Sequence, residues 1–229
     1  MPTAIITGAS RGLGLALARA LASDGWRLII DARGSGALQR AATELSALSE
    51  VVAIPGDVCD PAHRTELVEA AGERIDLLVN NASHLGPSPQ PALQDLALDD
   101  LARILGVNVL APLALIQLAL DRMPAGATII DVTSDAAVEA YGGWGGYGAS
   151  KAALEQLTAI LAVEHPQLRV HAVDPGDMNT AMHQAAFPGE DISDRPPPED
   201  SVPGLLTLLH GDLPSGRYAA RALTPVEAP

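Results

Sequence analysis

Tyr147 and Lys151 stand four residues apart in the stretch Gly146-Tyr147-Gly148-Ala149-Ser150-Lys151. On a helix this spacing raises both side chains from one face, so they address the same small volume. A free tyrosine titrates near pH 10, roughly three units too high for ready proton exchange at neutrality. An ammonium beside it favours phenolate by opposite-charge attraction, which makes the pair a candidate proton-transfer centre. Lys151 is also the only lysine in the chain, the other thirteen of fourteen cationic residues being arginine. Bias toward arginine plus chance would account for that count. So would one position that needs a compact three-donor ammonium where a planar guanidinium cannot serve.

A second group of residues suits an anion. Thr7-Gly8-Ala9-Ser10-Arg11-Gly12-Leu13-Gly14 follows an apolar run and opens a helical pattern, which exposes backbone N–H groups and the positive helix end. A Cβ at Gly8 or Gly12 would obstruct the tight turn or an approaching phosphate, and one at Gly14 would push the helix off the sheet.

The elements that must position these groups alternate. Strands are predicted at Ala4-Thr7, Arg27-Ala32, Val51-Ile54, Leu77-Val79, Thr128-Val132, Arg169-Val173 and Gly216-Ala219. Helices are predicted at Leu13-Leu21, Ala37-Leu48, Arg64-Ala71, Leu101-Leu120, Ala149-Val163 and Leu205-Leu209. Alternation of this kind implies a doubly wound α/β fold, a seven-stranded parallel sheet with helices on both faces, in a single domain over 1–229. Two stretches, Ser83-Pro91 and Asp177-Pro203, read as loops. The second is long enough to be a substrate lid near 177–203, with disorder as the alternative. The last residues, near 224–229, read as a flexible C-terminal tail.

Composition excludes several classes. The 48% hydrophobic and 18% charged residues are spread along the chain, which argues against disorder. A formal charge of -14 repels phosphate backbones, so no nucleic-acid partner is expected. No leader precedes the first apolar run, and no apolar stretch approaches the roughly 20 residues of a membrane span, so no membrane partner is expected. Cys59 is the single cysteine and no Cys/His cluster has zinc spacing, so a reducing cytoplasm suits the chain and no metal is expected.

The Gly-x-x-x-Gly-x-Gly spacing departs from the tighter dinucleotide fingerprint and resembles the short-chain dehydrogenase/reductase family in its single-domain form. The likeness covers nearly the whole chain and its motifs arrive in family order. Asp57-Val58 follows the third strand, Asn80-Asn81-Ala82 the fourth, Ser134 the fifth and Pro175-Gly176 the sixth, with Asn108 in the long helix and Tyr147-x-x-x-Lys151 in the next. The resemblance implies an oxidoreductase that passes hydride between a nicotinamide and a carbonyl or alcohol carbon.

It also implies roles. Tyr147 transfers the proton, and Lys151 lowers its pKa together with the oxidised nicotinamide and holds the ribose hydroxyls. Ser134, thirteen residues before Tyr147, steadies the substrate oxygen. Asn108 supports a helix irregularity and a water that links the lysine to solvent, a satisfied core asparagine being the alternative. Gly8, Ser10, Arg11, Gly12, Leu13 and Gly14 cradle the pyrophosphate. Asp57 and Val58 face the adenine, Asn81 and Ala82 the adjoining ribose, and Pro175, Gly176 and Thr180 the nicotinamide carboxamide. Thr133 reads as structural.

Cofactor choice turns on the end of the second strand, where an acid selects NAD and an arginine accommodates the extra phosphate of NADP. The family's NAD-selecting acid falls at Ala32 here, and Asp31 is one residue short, so alternation points it to the other side. Arg33 stands where NADP-binding members carry their base, Arg11 is a second cation, and Ser35 adds a hydroxyl. NADP(H) is therefore preferred over NAD(H). An NAD-dependent alcohol dehydrogenase and a non-catalytic NADP-binding sensor or scaffold are the alternatives. His84, Asp135, Tyr141, Trp144, Met182, His183 and Phe187 are the expected pocket walls, while His63 and His165 are expected at the surface. Asp135 favours a polar or cationic substrate unless it is an ordinary solvated acid. A homodimer or homotetramer through the two long helices is the expected assembly.

Overall fold

A computed structural model of the chain describes residues 1–224, so all of the expected tail except Thr224 lies outside the described residues. Strands β1 (Thr3–Ile6), β2 (Arg27–Ala32), β3 (Val51–Pro55), β4 (Leu77–Asn80), β5 (Thr128–Val132), β6 (Arg169–Asp174) and β7 (Gly216–Ala219) match the apolar runs of the sequence. All pair in parallel, in the order β3-β2-β1-β4-β5-β6-β7. The helices are α1 (Gly12–Ser23), α2 (Ser35–Leu45), α3 (Pro61–Ala71), α4 (Leu98–Leu105), α5 (Ala111–Ala119), α6 (Gly145–Glu164), α7 (Ala181–Ala186) and α8 (Val202–His210).

Side-chain alternation along the strands divides the core between the two faces. Ala4, Ile6, Leu28 and Ile30 pack with Leu17 and Leu21 of α1, Leu38 of α2 and Leu205 of α8. Ile5, Ile29, Leu78 and Ile129 point the opposite way, onto Leu67 of α3, Leu115 of α5 and Leu161 of α6. This is a doubly wound, Rossmann-type sheet in one domain. The order reverses between β1 and β4, and a crevice at such a reversal, beyond the carboxyl ends of the strands, is where this architecture binds ligands.

Three expectations need correction. The helix expected as one run over Leu101-Leu120 is divided by a π-helical turn, Gly106–Leu110, between α4 and α5, at the position of Asn108 where the resemblance implied an irregularity. The helical run as a whole, Leu98–Arg122, is long and apolar enough to cross a membrane, contrary to the sequence reading. Half of its most apolar stretch is buried within the chain, as in the core helix of a globular protein. The segment 177–203 is not a bare loop. It carries α7, capped by Thr180 Oγ1 accepting from His183 N at 3.2 Å, then a 3-10 turn and the start of α8. Only six residues make up α7, too few to show a helical period among the surrounding prolines and acids.

Candidate active site

One cavity of about 840 Å³ runs along the crevice, from Arg33 and Asp57 past the glycine turn to Ser134, Tyr147 and Lys151. Its volume suits a cofactor and a small substrate together.

At the glycine turn, Gly8 and Gly12 have φ of 69° and 57°, a region that favours glycine. A Cβ at Gly8 would lie 2.9 Å from the Ala82 Cα, so the end of β4 closes on the turn. At Gly14 it would lie 2.5 Å from Asn81 Nδ2 and 2.8 Å from the Gly8 carbonyl oxygen, so Gly14 spaces the helix from the turn and the β4 loop. Asn81 fastens this junction, with Nδ2 donating to the carbonyls of Thr7 at 2.8 Å and Gly8 at 3.2 Å. Thr7, given no role from the sequence, accepts at Oγ1 from the amides of Asn81 and Ala82. Arg11 caps α1 without a side-chain bond, and the first turn carries no acid. The helix N–H groups therefore open on the cavity beside Ser10, Gly12 and Leu13, a cradle that fits a pyrophosphate.

At the end of β2, Asp31 does reach the cavity wall, but both of its oxygens are engaged. Oδ1 accepts from Gly8 N at 2.7 Å and Oδ2 meets His63 Nε2 at 2.9 Å. His63, expected at the surface, is buried, and its ring fills the space above Gly56, where a Cβ would stand 2.2 Å from Nδ1. The hydrogen bond that His63 donates to Asp31 raises the His63 pKa, against the cost of burial. Arg33 is exposed, and neither Arg33 nor Arg11 has a carboxylate partner among the described residues. Asp57 lines the cavity while accepting from Cys59 N, and Val58 packs with Val107 and Ala82.

At the other end, the α6 spacing puts Tyr147 and Lys151 on one buried face. Lys151 Nζ donates to the Val132 carbonyl at 2.7 Å, and burial pulls its pKa down to about 8 despite the carboxylates of Asp131 and Glu155. Tyr147 differs from the sequence expectation. Burial pushes its phenol up to about 12, with a hydrogen bond to Ser83 acting downward and the charges of Asp174 and Asp135 acting upward. In the free chain Tyr147 is therefore a protonated acid. Ser134 lines the same cavity, and its hydroxyl donates to Asp135 Oδ1 at 2.8 Å.

Asn108 is fully buried within the π-turn, and its amide is saturated. Oδ1 accepts from His84 N at 2.7 Å and Ser83 Oγ at 3.2 Å, while Nδ2 donates to His84 O at 3.0 Å and Ser150 Oγ at 2.9 Å. It thus ties the segment after β4 to α6 one residue before Lys151. Pro175 and Gly176 follow β6. Ser201 holds the Pro175 carbonyl, Asp174 holds Gly176 N, and the Thr180 methyl stands over Gly12. Of the expected walls, His84, Asp135, Trp144, Met182 and His183 line the cavity. Tyr141 and Phe187 stand behind, with ring centres 6.3 Å and 5.8 Å from Trp144.

The sequence reading missed the supports beneath these groups. Asp131 on β5 is buried under the lysine, bonded by Asn80 Nδ2 at 2.8 Å and Thr158 Oγ1 at 2.7 Å, and burial raises its pKa. Arg217 on β7 joins Glu155 at 2.9 Å, Asp174 at 3.5 Å and the Ser134 carbonyl at 3.3 Å. Thr133, expected as structural, donates to Glu155 at 2.7 Å. An acid inside the run Thr128-Ile129-Ile130-Asp131-Val132 was the available signal for Asp131, since a buried strand charge needs a partner.

A family model described as short chain dehydrogenase matches residues 2–191. A rhamnolipids biosynthesis 3-oxoacyl-[acyl-carrier-protein] reductase from Pseudomonas aeruginosa is 37% identical over 191 residues, 78% of this chain and 73% of that protein. Among solved structures, a short chain dehydrogenase from Pseudomonas syringae superposes with a TM-score of 0.89 at 29% identity, over 96% of this chain and 94% of that one. Another from Shigella flexneri, complexed with NADP, gives 0.87 at 26% identity over 96% and 97%.

Proposed function

From the premise that the chain belongs to the short-chain dehydrogenase/reductase family, we propose that it is an NADP(H)-dependent reductase of a ketone or aldehyde. The observation that carries this reading is one continuous cavity that opens on the glycine turn at one end and on Tyr147, Lys151 and Ser134 at the other. NADP(H), when bound, supplies the hydride that a carbonyl carbon accepts.

The residues of the chain supply the rest. The uncapped N-terminus of α1 and the turn from Gly8 to Gly14 hold the pyrophosphate, with Asp57, Val58, Asn81 and Ala82 along the adenosine side. Pro175, Gly176 and Thr180 flank the nicotinamide end. Arg11 and Arg33 line the cavity with no carboxylate partner among the described residues and suit a 2′-phosphate, while Asp31 at the end of β2 is committed to Gly8 and His63. This favours NADP(H) over NAD(H), and the NADP-bound relative from Shigella flexneri supports the same choice.

Ser134 donates to the substrate oxygen, exchanging its bond to Asp135, and Tyr147, protonated throughout the neutral range, delivers the proton. Lys151 holds the ribose and keeps a positive charge beside the phenolate that results. Asn108 and Ser83 position the segment against which the tyrosine rests. The segment 177–203, seated on the 83–91 loop through Ser88 Oγ and the Ala185 carbonyl, acts as the substrate lid. Exposed Leu110 and Leu118 on the 98–122 run, with Ile160 and Val163 on α6, favour a homodimer or homotetramer.

Oxidation of NADPH and NADH against a panel of carbonyls, with Tyr147→Phe as control, tests the reading. NADPH-dependent turnover that the variant loses is the expected result. Equal or better turnover with NADH would refute the cofactor assignment, and turnover independent of Tyr147 would refute the mechanism.

A further inference from the structure

Aromatic residues are scarce in this chain, one Phe, two Trp and three Tyr. Four of those six form one cluster at the reacting end. Trp144 meets Tyr147, Tyr141 and Phe187 at ring-centre distances of 5.9, 6.3 and 5.8 Å, and His183 stacks on Phe187 at 4.8 Å. Of these rings Trp144, Tyr147 and His183 line the cavity, with Tyr141 and Phe187 behind them, and an aromatic lining of this kind favours a flat apolar body and attracts a cation.

The acids at this end differ in their compensation. Asp174 has Arg217 at 3.5 Å, and Asp177 has Arg195 at 3.6 Å and His183 Nδ1 at 3.8 Å. Asp135 lines the cavity with hydrogen bonds from Ser134 Oγ, Ala136 N and Tyr141 OH, yet has no cationic partner among the described residues. Three neutral donors fix its orientation at the solvent-exposed edge of the cavity, and no side-chain cation among the described residues neutralises it there, one residue from Ser134. Its field reaches the reacting hydroxyl, where it works against phenolate formation.

We propose that this end of the cavity selects carbonyl compounds with an aromatic body that carries a positive charge, and that Asp135 sets the preference. The inference rests on the reductase reading and names the substrate class of the same site. Anionic carbonyl compounds meet an uncompensated carboxylate there, in a chain whose formal charge is already -14.

Two measurements test it. Binding of benzyltrimethylammonium and of phenylacetate is followed by Trp144 fluorescence, with Trp144→Phe to identify the signal. The ammonium should bind about tenfold more tightly than the carboxylate, and the gap should shrink as salt rises from about 0.05 to 0.5 M. Asp135→Asn should close most of it. Equal binding of the two ions by the unaltered protein overturns the inference, whether or not any variant folds. NADPH oxidation is then compared for acetophenones bearing trimethylammonio, tert-butyl or carboxylate groups, with kcat/KM expected to fall in that order. Equal rates for the three overturn the selectivity and leave the reductase reading standing. No reduction of any of them, with the ammonium still preferred in binding, overturns the reductase reading and leaves the selectivity standing.

Discussion

Lys151 Nζ sits on the Val132 carbonyl at 2.7 Å and 5.6 Å from the centre of the Tyr147 ring, so the amine and the phenol share a buried wall without a direct hydrogen bond. Burial moves the two in opposite directions, the phenol up to about 12 and the ammonium down to about 8. Across the neutral range the free chain thus keeps both protons, the state that the proposed carbonyl reduction requires.

The rate of reduction is therefore expected to be level through neutrality and to fall above about pH 8 as Lys151 loses its charge. Profiles of kcat/KM against pH check this, together with a phenolate absorbance titration in which Tyr147→Phe removes a component that ionises at about 12. A rate that climbs from pH 8 to 10 would contradict it. Lys151→Arg should lose roughly a hundredfold or more in turnover, because a planar guanidinium cannot reproduce the buried contact with Val132.

His63 and Asp31 form a buried pair under the glycine turn. The folded-state pKa of His63 lies above its unfolded value, so its contribution is complete below about pH 6.5 and declines as pH rises through the folded pKa. His63→Leu should destabilise by about 3 kcal/mol at pH 5.5, since it leaves Asp31 buried without its cation, and by less at pH 9. Denaturant melts at the two pH values read this directly. The idea fails if the loss is the same at both.

The strands and the Tyr147-Lys151 pair were legible because each is written locally, in β-branched runs and in a four-residue helical spacing. The π-turn is not written in composition, since Gly106-Val107-Asn108-Val109-Leu110 reads as ordinary helix; the resemblance implied an irregularity at Asn108, and the four bonds of its amide to other elements give the physical reason. His63 was misplaced for a related reason. Its partner stands 32 residues away, and the space that receives its ring is a missing Cβ at Gly56. The effect on Tyr147 was misjudged because a four-residue spacing reports proximity and says nothing of desolvation, which dominates here.

His171 on β6 titrates with the opposite sign to His63. It is fully buried with no hydrogen bond to either ring nitrogen among the described residues, and burial lowers its pKa to about 4. A base with a depressed folded pKa costs nothing above its unfolded value near 6.5, and the unfolded chain binds the extra proton below it. Stability should therefore fall by roughly 3 kcal/mol between about pH 6.5 and pH 4 on account of this residue. His171→Leu should flatten that part of the profile and raise stability at pH 7 by about 1 kcal/mol or more, because an unpartnered buried N–H is removed. Thermal or urea unfolding across this range settles it, and an unchanged slope in the variant would count against the assignment.

Arg217 is the support whose loss should affect chemistry more than folding. From the last strand it reaches Glu155 on α6, Asp174 at the end of β6 and the carbonyl of Ser134, so one half-exposed guanidinium ties three parts of the site together. The guanidinium is about a third exposed, so solvent screens its side of the pairs and can reach the acids once it is gone, and Arg217→Met should lower the unfolding midpoint less than it lowers the rate. In the proposed reaction, however, the Ser134 hydroxyl meets the substrate oxygen within a fraction of an ångström, and a displacement of about 1 Å can cost on the order of a hundredfold in rate. A fall in kcat with KM nearly unchanged is expected, with partial recovery in Arg217→Lys or when guanidinium is added to Arg217→Ala at concentrations too low to denature. A purely structural residue would show the reverse, a lowered midpoint with normal turnover in the protein that remains folded, and that result would remove Arg217 from the catalytic frame.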